Sequence, residues 1–119
     1  MKIVKNIKKA RGIKIELIEG KKKIGRAFLY LIKNNLHKKP YGLMEDVFVN
    51  PAMRGQGLGT LLIKEVINIA RRYRCYKLIG NSRTANEKAH KLYERLGFKR
   101  HGFEFRMDLT NIKSSCVIK

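Results

Sequence analysis

Val47-Phe48-Val49-Asn50-Pro51-Ala52-Met53-Arg54-Gly55-Gln56-Gly57-Leu58-Gly59-Thr60 is the stretch on which the reading of this chain turns. A short apolar run with strand character ends at Asn50-Pro51, a turn follows, and an amphipathic stretch from Leu58 to Tyr73 starts among the glycines. A glycine-rich turn therefore carries the chain from a strand into a helix. A helix start exposes backbone N–H groups and the positive end of the helix dipole. Glycine lets that backbone approach a ligand with no Cβ in the way. No Ser, Thr, Asp or Asn stands at Gln56-Gly57 to cap the helix, so a bound anion, or water, would complete it. This combination is an anion site, most often for phosphate.

Two familiar phosphate loops are excluded by spacing. A P-loop needs a lysine directly after its last glycine, whereas Gly59 is followed by Thr60 and Leu61. A dinucleotide-binding turn needs Gly-x-Gly-x-x-Gly, and Gly55, Gln56, Gly57, Leu58, Gly59 is one residue short of it.

Working outward, 119 residues suit one domain spanning 1–119, with 110–119 read as a frayed tail or an added edge strand. Apolar residues make up 44%, enough for a small core. Lys and Arg number 28 against 9 Asp and Glu, a net charge of +19, which attracts polyanions: nucleic acid, an anionic membrane or a phosphorylated cofactor. The lysines are spread along the whole chain, which reads equally as the habit of a lysine-rich proteome. Cys75 and Cys116 form no Cys-x-x-Cys pair, and with three scattered histidines no metal-ligand spacing is present, so no metal is expected. The simple inference is a reduced, cytoplasmic setting. The start lacks an apolar signal core and Ala27–Ile32, the longest apolar run, is too short to span a bilayer, so no membrane partner is expected.

The first half reads as an antiparallel meander: a short strand over Ile3–Ile7, a period-two strand at Ile13–Leu17, a nearly continuous apolar strand over Ile24–Lys33 expected to be buried on both faces, and a strand over Leu43–Val49. Glu45 and Asp46 lie within that last strand. Strict alternation puts Glu45 with Leu43, Val47 and Val49, and Asp46 with Met44 and Phe48. A carboxylate among apolar neighbours becomes a stronger base, which suits proton abstraction. The bland alternative is an ion pair with a lysine. Leu58, Leu62, Val66, Ile69 and Tyr73 then recur at helical spacing, and Cys75–Gly80 reads as a strand, giving a βαβ unit with a parallel pair. Thr84 and Glu87 form a capping box, opening a second helix with an apolar stripe of Ala85, Ala89, Leu92, Tyr93 and Leu96 and a stop at Gly97. Phe103, Phe105, Met107 and Leu109 alternate as a last strand. His90 and His101 read as surface residues and His37 as a loop residue. The fold class is α/β (α+β), a mixed sheet.

Arg54-x-x-Gly57-x-Gly59 after a Val-x-Val strand, together with Asn86, Ala89, Tyr93 and a closing Gly97-Phe98, resembles the paired hallmarks of the GNAT superfamily of N-acetyltransferases. The match covers roughly Gly42 to Leu109, and Met44–Val49 with Arg74–Ile79 look most like the glucosamine-phosphate N-acetyltransferases. The resemblance implies acetyl-CoA as cosubstrate and an amine acceptor. It implies that Val47, Phe48 and Val49 meet the pantetheine arm, that the strand holding Leu78 parts from theirs, and that an N–H near Val49 serves the oxyanion. By the same likeness Gln56, Gly57, Leu58, Gly59 and Thr60 hold the pyrophosphate beside Arg54 and Gly55. Asn86 contacts the arm, Lys88 the adenosine phosphates, Tyr93 is the general acid, and Glu45 or Asp46 is the base, with Glu45 preferred. Many such domains carry a strand and two helices ahead of the meander. Only about a dozen residues precede Ile13 here, so an acceptor site that is open, or completed by a second subunit in a homodimer, is expected. The other reading is a catalytically weak basic module of this fold that binds nucleic acid or CoA.

Overall fold

The computed structural model describes residues 1–110. Three antiparallel strands, β1 (Arg11–Glu19), β2 (Lys22–Ile32) and β3 (Tyr41–Val49), form the expected meander. A short 3-10 turn at Pro51–Met53 leads through the glycines into helix α1 (Leu58–Arg72). Strand β4 (Leu78–Gly80) then joins parallel to β3, and helix α2 (Glu87–Arg95) follows. The sheet order is β1-β2-β3-β4.

One face of the sheet makes the core. Ala27, Leu29 and Leu31 of β2 and Met44 of β3 are buried against Leu62, Ile63, Val66 and Ala70 of α1. Ile13, Ile15 and Leu17 of β1 and Leu92, Tyr93 and Leu96 of α2 pack around them. These α1 positions are spaced three and four apart, so one stripe of the helix takes all the burial. The expectation that β2 is buried on both faces is corrected: Phe28, Tyr30 and Ile32, on the opposite face, are only half-buried. A single helical layer covers the sheet, and no described element covers the other side.

Other departures share a cause, apolar pattern without a partner to bury it. Ile3, Val4 and Ile7 are exposed and form no strand. Phe103, Phe105, Met107 and Leu109 keep their alternation in sequence but form no strand among the described residues, and all four side chains are exposed. The strand read at Cys75–Gly80 shrinks to three residues. Arg74 leaves α1 with φ +58 and Cys75 N–H still donates to Ala70 C=O at 3.0 Å, so the chain is turning until Lys77. The tail expected over 110–119 lies outside the described residues but for Thr110, which is exposed.

Leu61 and Leu62 separate burial from propensity. Leu62 is fully buried whereas Leu61 is half-exposed. Leu62→Ala is expected to cost about 2–5 kcal/mol in urea unfolding, and Leu61→Ala to stay within about 0.5 kcal/mol.

Candidate active site

The pairing of β3 with β2 runs Gly25–Val49, Arg26–Phe48, then Phe28–Glu45. Ala27 alone therefore faces two residues, Asp46 and Val47, and β3 carries a bulge. Asp46 takes φ +53 there, a left-handed conformation that a short polar side chain tolerates better than most. The inserted residue shifts the alternation. Met44 points into the core before the bulge, and Val47 and Val49 pack against the core after it. Glu45 is thus not on the face of Val47 and Val49, and both acids are exposed. The expectation of an acid buried among apolar neighbours is corrected by this one extra residue. Asp46 instead accepts two hydrogen bonds from Arg26, Nε at 3.1 Å and Nη2 at 3.2 Å, with the guanidinium 4.7 Å above the Phe48 ring.

The ladder to β4 stops at the same place. β3 and β4 pair at Gly42–Leu78, Leu43–Ile79 and Met44–Gly80, and the ladder ends as the bulge begins. A bulge bends its strand and ends regular pairing. Beyond Met44 no pairing of β3 with β4 continues: Glu45, Asp46 and Val47 follow on one strand and Asn81 on the other. Gly80 is the last paired residue of β4. A Cβ there would meet Met44 Cε at 2.9 Å, Phe98 Cε1 at 3.5 Å and Tyr93 Cε2 at 3.6 Å. Sequence reading passed over Gly80, although a glycine closing a strand is a signal of close approach.

At the far end of β3, Asn50 Oδ1 accepts from Ala52 N–H at 3.0 Å and starts the 3-10 turn. Arg54 Nε donates to Val49 C=O at 3.0 Å, bracing the turn against the strand end. Gly55 and Gly57 hold φ +85 and +78. No neighbour crowds either position, so conformation, not space, requires glycine there. Gly57 is the N-cap of α1 and offers no side-chain acceptor. The first helical bond is donated by Leu61 N–H to Gly57 C=O at 3.1 Å. The N–H groups of Leu58, Gly59 and Thr60 precede it and have no intrahelical acceptor. No acid stands in the first turn. A pyrophosphate fits this donor set.

Tyr93 projects from α2 toward the end of β4. Its hydroxyl donates to Asn81 C=O at a long 3.4 Å, and its ring lies 5.3 Å from that of Phe98. Burial pushes the phenol above its ordinary value of 10.0, so it keeps its proton through the neutral range. The capping box does not form. Asn86 caps α2 itself, its Oδ1 accepting from Ala89 N–H at 3.1 Å, while Thr84 lies in the preceding turn. A short amide side chain reaches that N–H without help. Ala85 consequently falls outside the helix and is exposed, and Lys88 is exposed on the first turn. His90 is not the surface residue expected. Its ring is largely buried, with Nε2 2.8 Å from Arg83 C=O, and it anchors the loop between β4 and α2. His101 and His37 are exposed. Among the described residues, no group of His, Cys, Asp and Glu is placed to hold a metal, and no helix is long and apolar enough to cross a membrane.

A β3–β4 ladder that stops at a bulge, an uncapped glycine-opened helix and a tyrosine at the end of β4 are joined by one further finding: residues 6–98 match the acetyltransferase (GNAT) family. The chain belongs to that family. It is 46% identical over 68 residues to glucosamine 6-phosphate N-acetyltransferase of Trypanosoma brucei brucei, a match covering 57% of this chain and 44% of that protein. An acetyltransferase structure from Trypanosoma brucei superposes with TM-score 0.77 at 34% identity, covering 82% of this chain and 69% of that one. The glucosamine-6-phosphate N-acetyltransferase of Arabidopsis thaliana shares the fold, with TM-score 0.75 at 20% identity over 83% of this chain and 67% of that one. The GNAT chain described here spans less than half the length of the curated relatives it matches.

Two glycines of the GNAT turn give opposite expectations. Gly57→Ala, forced to φ +78, is expected to lose about 1–2 kcal/mol of stability. Gly59 lies inside α1 with room for a methyl group, so Gly59→Ala is expected to be neutral or stabilising by up to about 1 kcal/mol in the same unfolding measurement.

Proposed function

We propose that this GNAT chain is an acetyl-CoA-dependent N-acetyltransferase that moves an acetyl group to a primary amine by direct attack on the thioester. The observation that carries the proposal is the β3–β4 ladder that stops at the β3 bulge, with the uncapped start of α1 following β3 and Tyr93 bonded to Asn81 at the end of β4.

Acetyl-CoA supplies the activated acetyl group. The N–H groups of Gln56, Gly57, Leu58, Gly59 and Thr60 hold its pyrophosphate, and the outer edge of Arg54, whose Nε is committed to Val49, lies beside it with Gly55. The backbone of Val47, Phe48 and Val49, which does not pair with β4, receives the pantetheine arm, and an N–H near Val49 meets the carbonyl oxygen as charge gathers there. Asn86 presents its amide nitrogen to the arm, its oxygen being spent on the α2 cap, and Lys88 meets the adenosine phosphates. Glu45, through a water, takes the proton that the acceptor nitrogen sheds as the N–C bond forms. Tyr93 gives its proton to the sulfur as the C–S bond breaks. Asp46 is engaged by Arg26, so its role is to hold the bulge, and Glu45 is the base. The acceptor approaches over the uncovered sheet face, where Phe28 and Tyr30 lie stacked with centroids 6.2 Å apart and Phe28 pairs with Glu45.

Release of free CoA thiol in a screen of amines with acetyl-CoA tests the reaction. Glucosamine 6-phosphate, named for the trypanosomal relative, heads that screen, followed by polyamines, amino acids and peptide N-termini. Acetyl-CoA is expected to raise the melting temperature, by mass action. Absence of both thiol release and stabilisation overturns the proposal. Tyr93→Phe is expected to lower turnover about ten-fold or more with cofactor affinity intact. The phenol is held above 10.0 by burial, so its proton is present below that range and lost as pH rises through the raised value. The alkaline fall in turnover is expected above the ordinary phenol range and absent in Tyr93→Phe.

A further inference from the structure

The strand register brings together residues that are remote in sequence. Arg11 lies opposite Leu31, Leu31 opposite Gly42, and Gly42 beside Leu78. These four mark one end of the sheet. The glycine turn leaves from the other end, after Val49 opposite Gly25. At the first end the loop between β2 and β3 supplies Lys33, His37, Lys38 and Lys39. The segment that closes α1 and leads into β4 supplies Arg71, Arg72, Arg74, Tyr76 and Lys77. Tyr76 N–H donates to Pro40 C=O at 3.0 Å and ties the two segments together. Residues 1–15, 31–44 and 66–86 contain no Asp or Glu, so this end is basic without local compensation.

Aromatic rings sit within that charge. His37 lies against Tyr76 with centroids 4.3 Å apart and the rings tilted by 35°, and Tyr41 meets Tyr76 edge-on at 6.3 Å. Lys77 Nζ lies 5.0 Å from the Tyr41 centroid and 5.4 Å from that of Tyr76. His37, Lys38, Lys39 and Tyr76 line a shallow depression. Tyr76 is 41% exposed, a large ring left in water. The proposed acetyl transfer, which runs from the middle of β3 to the glycine turn at the other end, makes no use of any of these groups.

We propose that this end of the sheet is a binding platform for single-stranded nucleic acid: an unpaired base stacks on the His37–Tyr76 pair while Lys38, Lys39 and Lys77 meet the flanking phosphates. Stacking on aromatic rings combined with a basic groove is how single strands are held without sequence preference. A duplex offers phosphates but keeps its base faces covered, and an anionic bilayer answers the charge but has no flat ring to stack. An acidic protein likewise uses the lysines and leaves the rings idle.

Fluorescence anisotropy of the full chain with labelled short oligouridylate and oligodeoxythymidylate, against a duplex of equal length and against heparin, tests this. Single strands are expected to bind more tightly than duplex, with affinity falling steeply with salt. Tyr76→Ala and His37→Ala are each expected to weaken oligonucleotide binding roughly ten-fold, and Tyr76→Phe to retain it. A Lys38→Ala, Lys39→Ala double variant is expected to reduce the slope of log affinity against log salt by about 1.4. Thiol release with acetyl-CoA is expected to be unchanged in all four, which shows that they fold. Equal binding of heparin or duplex, or an affinity untouched by loss of either ring, overturns the proposal and leaves charge alone.

Discussion

β3 and β4 are paired at three residue pairs, from Gly42–Leu78 to Met44–Gly80, and the pairing then stops. A parallel ladder continues only while both strands hold their pleat in step. Asp46 breaks that step with a positive φ and an extra residue, and Arg26 clamps it by both carboxylate oxygens. The ladder therefore stops where one residue is inserted in β3. Everything proposed to be chemical in this molecule lies along that break: the backbone after the bulge, the helix start it leads into, and the tyrosine across from it.

The core that holds this arrangement is one layer deep. α1 covers the face of Leu29 and Met44, and the opposite face keeps Phe28 and Tyr30 half in water. A chain of this size cannot bury both sides of its sheet with the helices described, and the uncovered face is the one that carries Glu45. Access for the proposed acceptor and a thin core are two aspects of the same architecture. Charge is distributed by the same topology. The basic loops collect where β3 and β4 begin, while the glycine turn occupies the other end.

The parts of the fold legible in sequence were those set by local chemistry. The apolar stripe of α1, its uncapped start at Gly57, the stop at Gly97 and the meander turns all follow from residue type at a fixed spacing. The bulge was not legible, because the side-chain argument assumes an unbroken period of two, and a single insertion leaves the pattern looking regular. Two adjacent acids in a strand were noticed for chemistry, yet Asp is also a residue that accepts the left-handed backbone. The alternation of Phe103 to Leu109 was legible but misleading, since a strand needs a partner that sequence does not name. Asn86 displaced the Thr84–Glu87 box because two capping signals overlapped. The contact of His37 with Tyr76 was invisible for a different reason: the residues are far apart in the chain, and only the sheet register joins them.

α2 has no fully buried side chain, and it is tethered by the contacts of Leu92, Tyr93 and Leu96 and by the His90 anchor. Elements that bury little apolar surface open at low free energy, well before global unfolding. The proposed proton donor thus rides on a described helix that buries no side chain fully, unlike α1, and its Asn86 cap is also a proposed ligand contact. In the proposed complex, occupancy of the site closes the amide protons of α2 against solvent, so hydrogen exchange along this one helix becomes a gauge of loading that is independent of turnover.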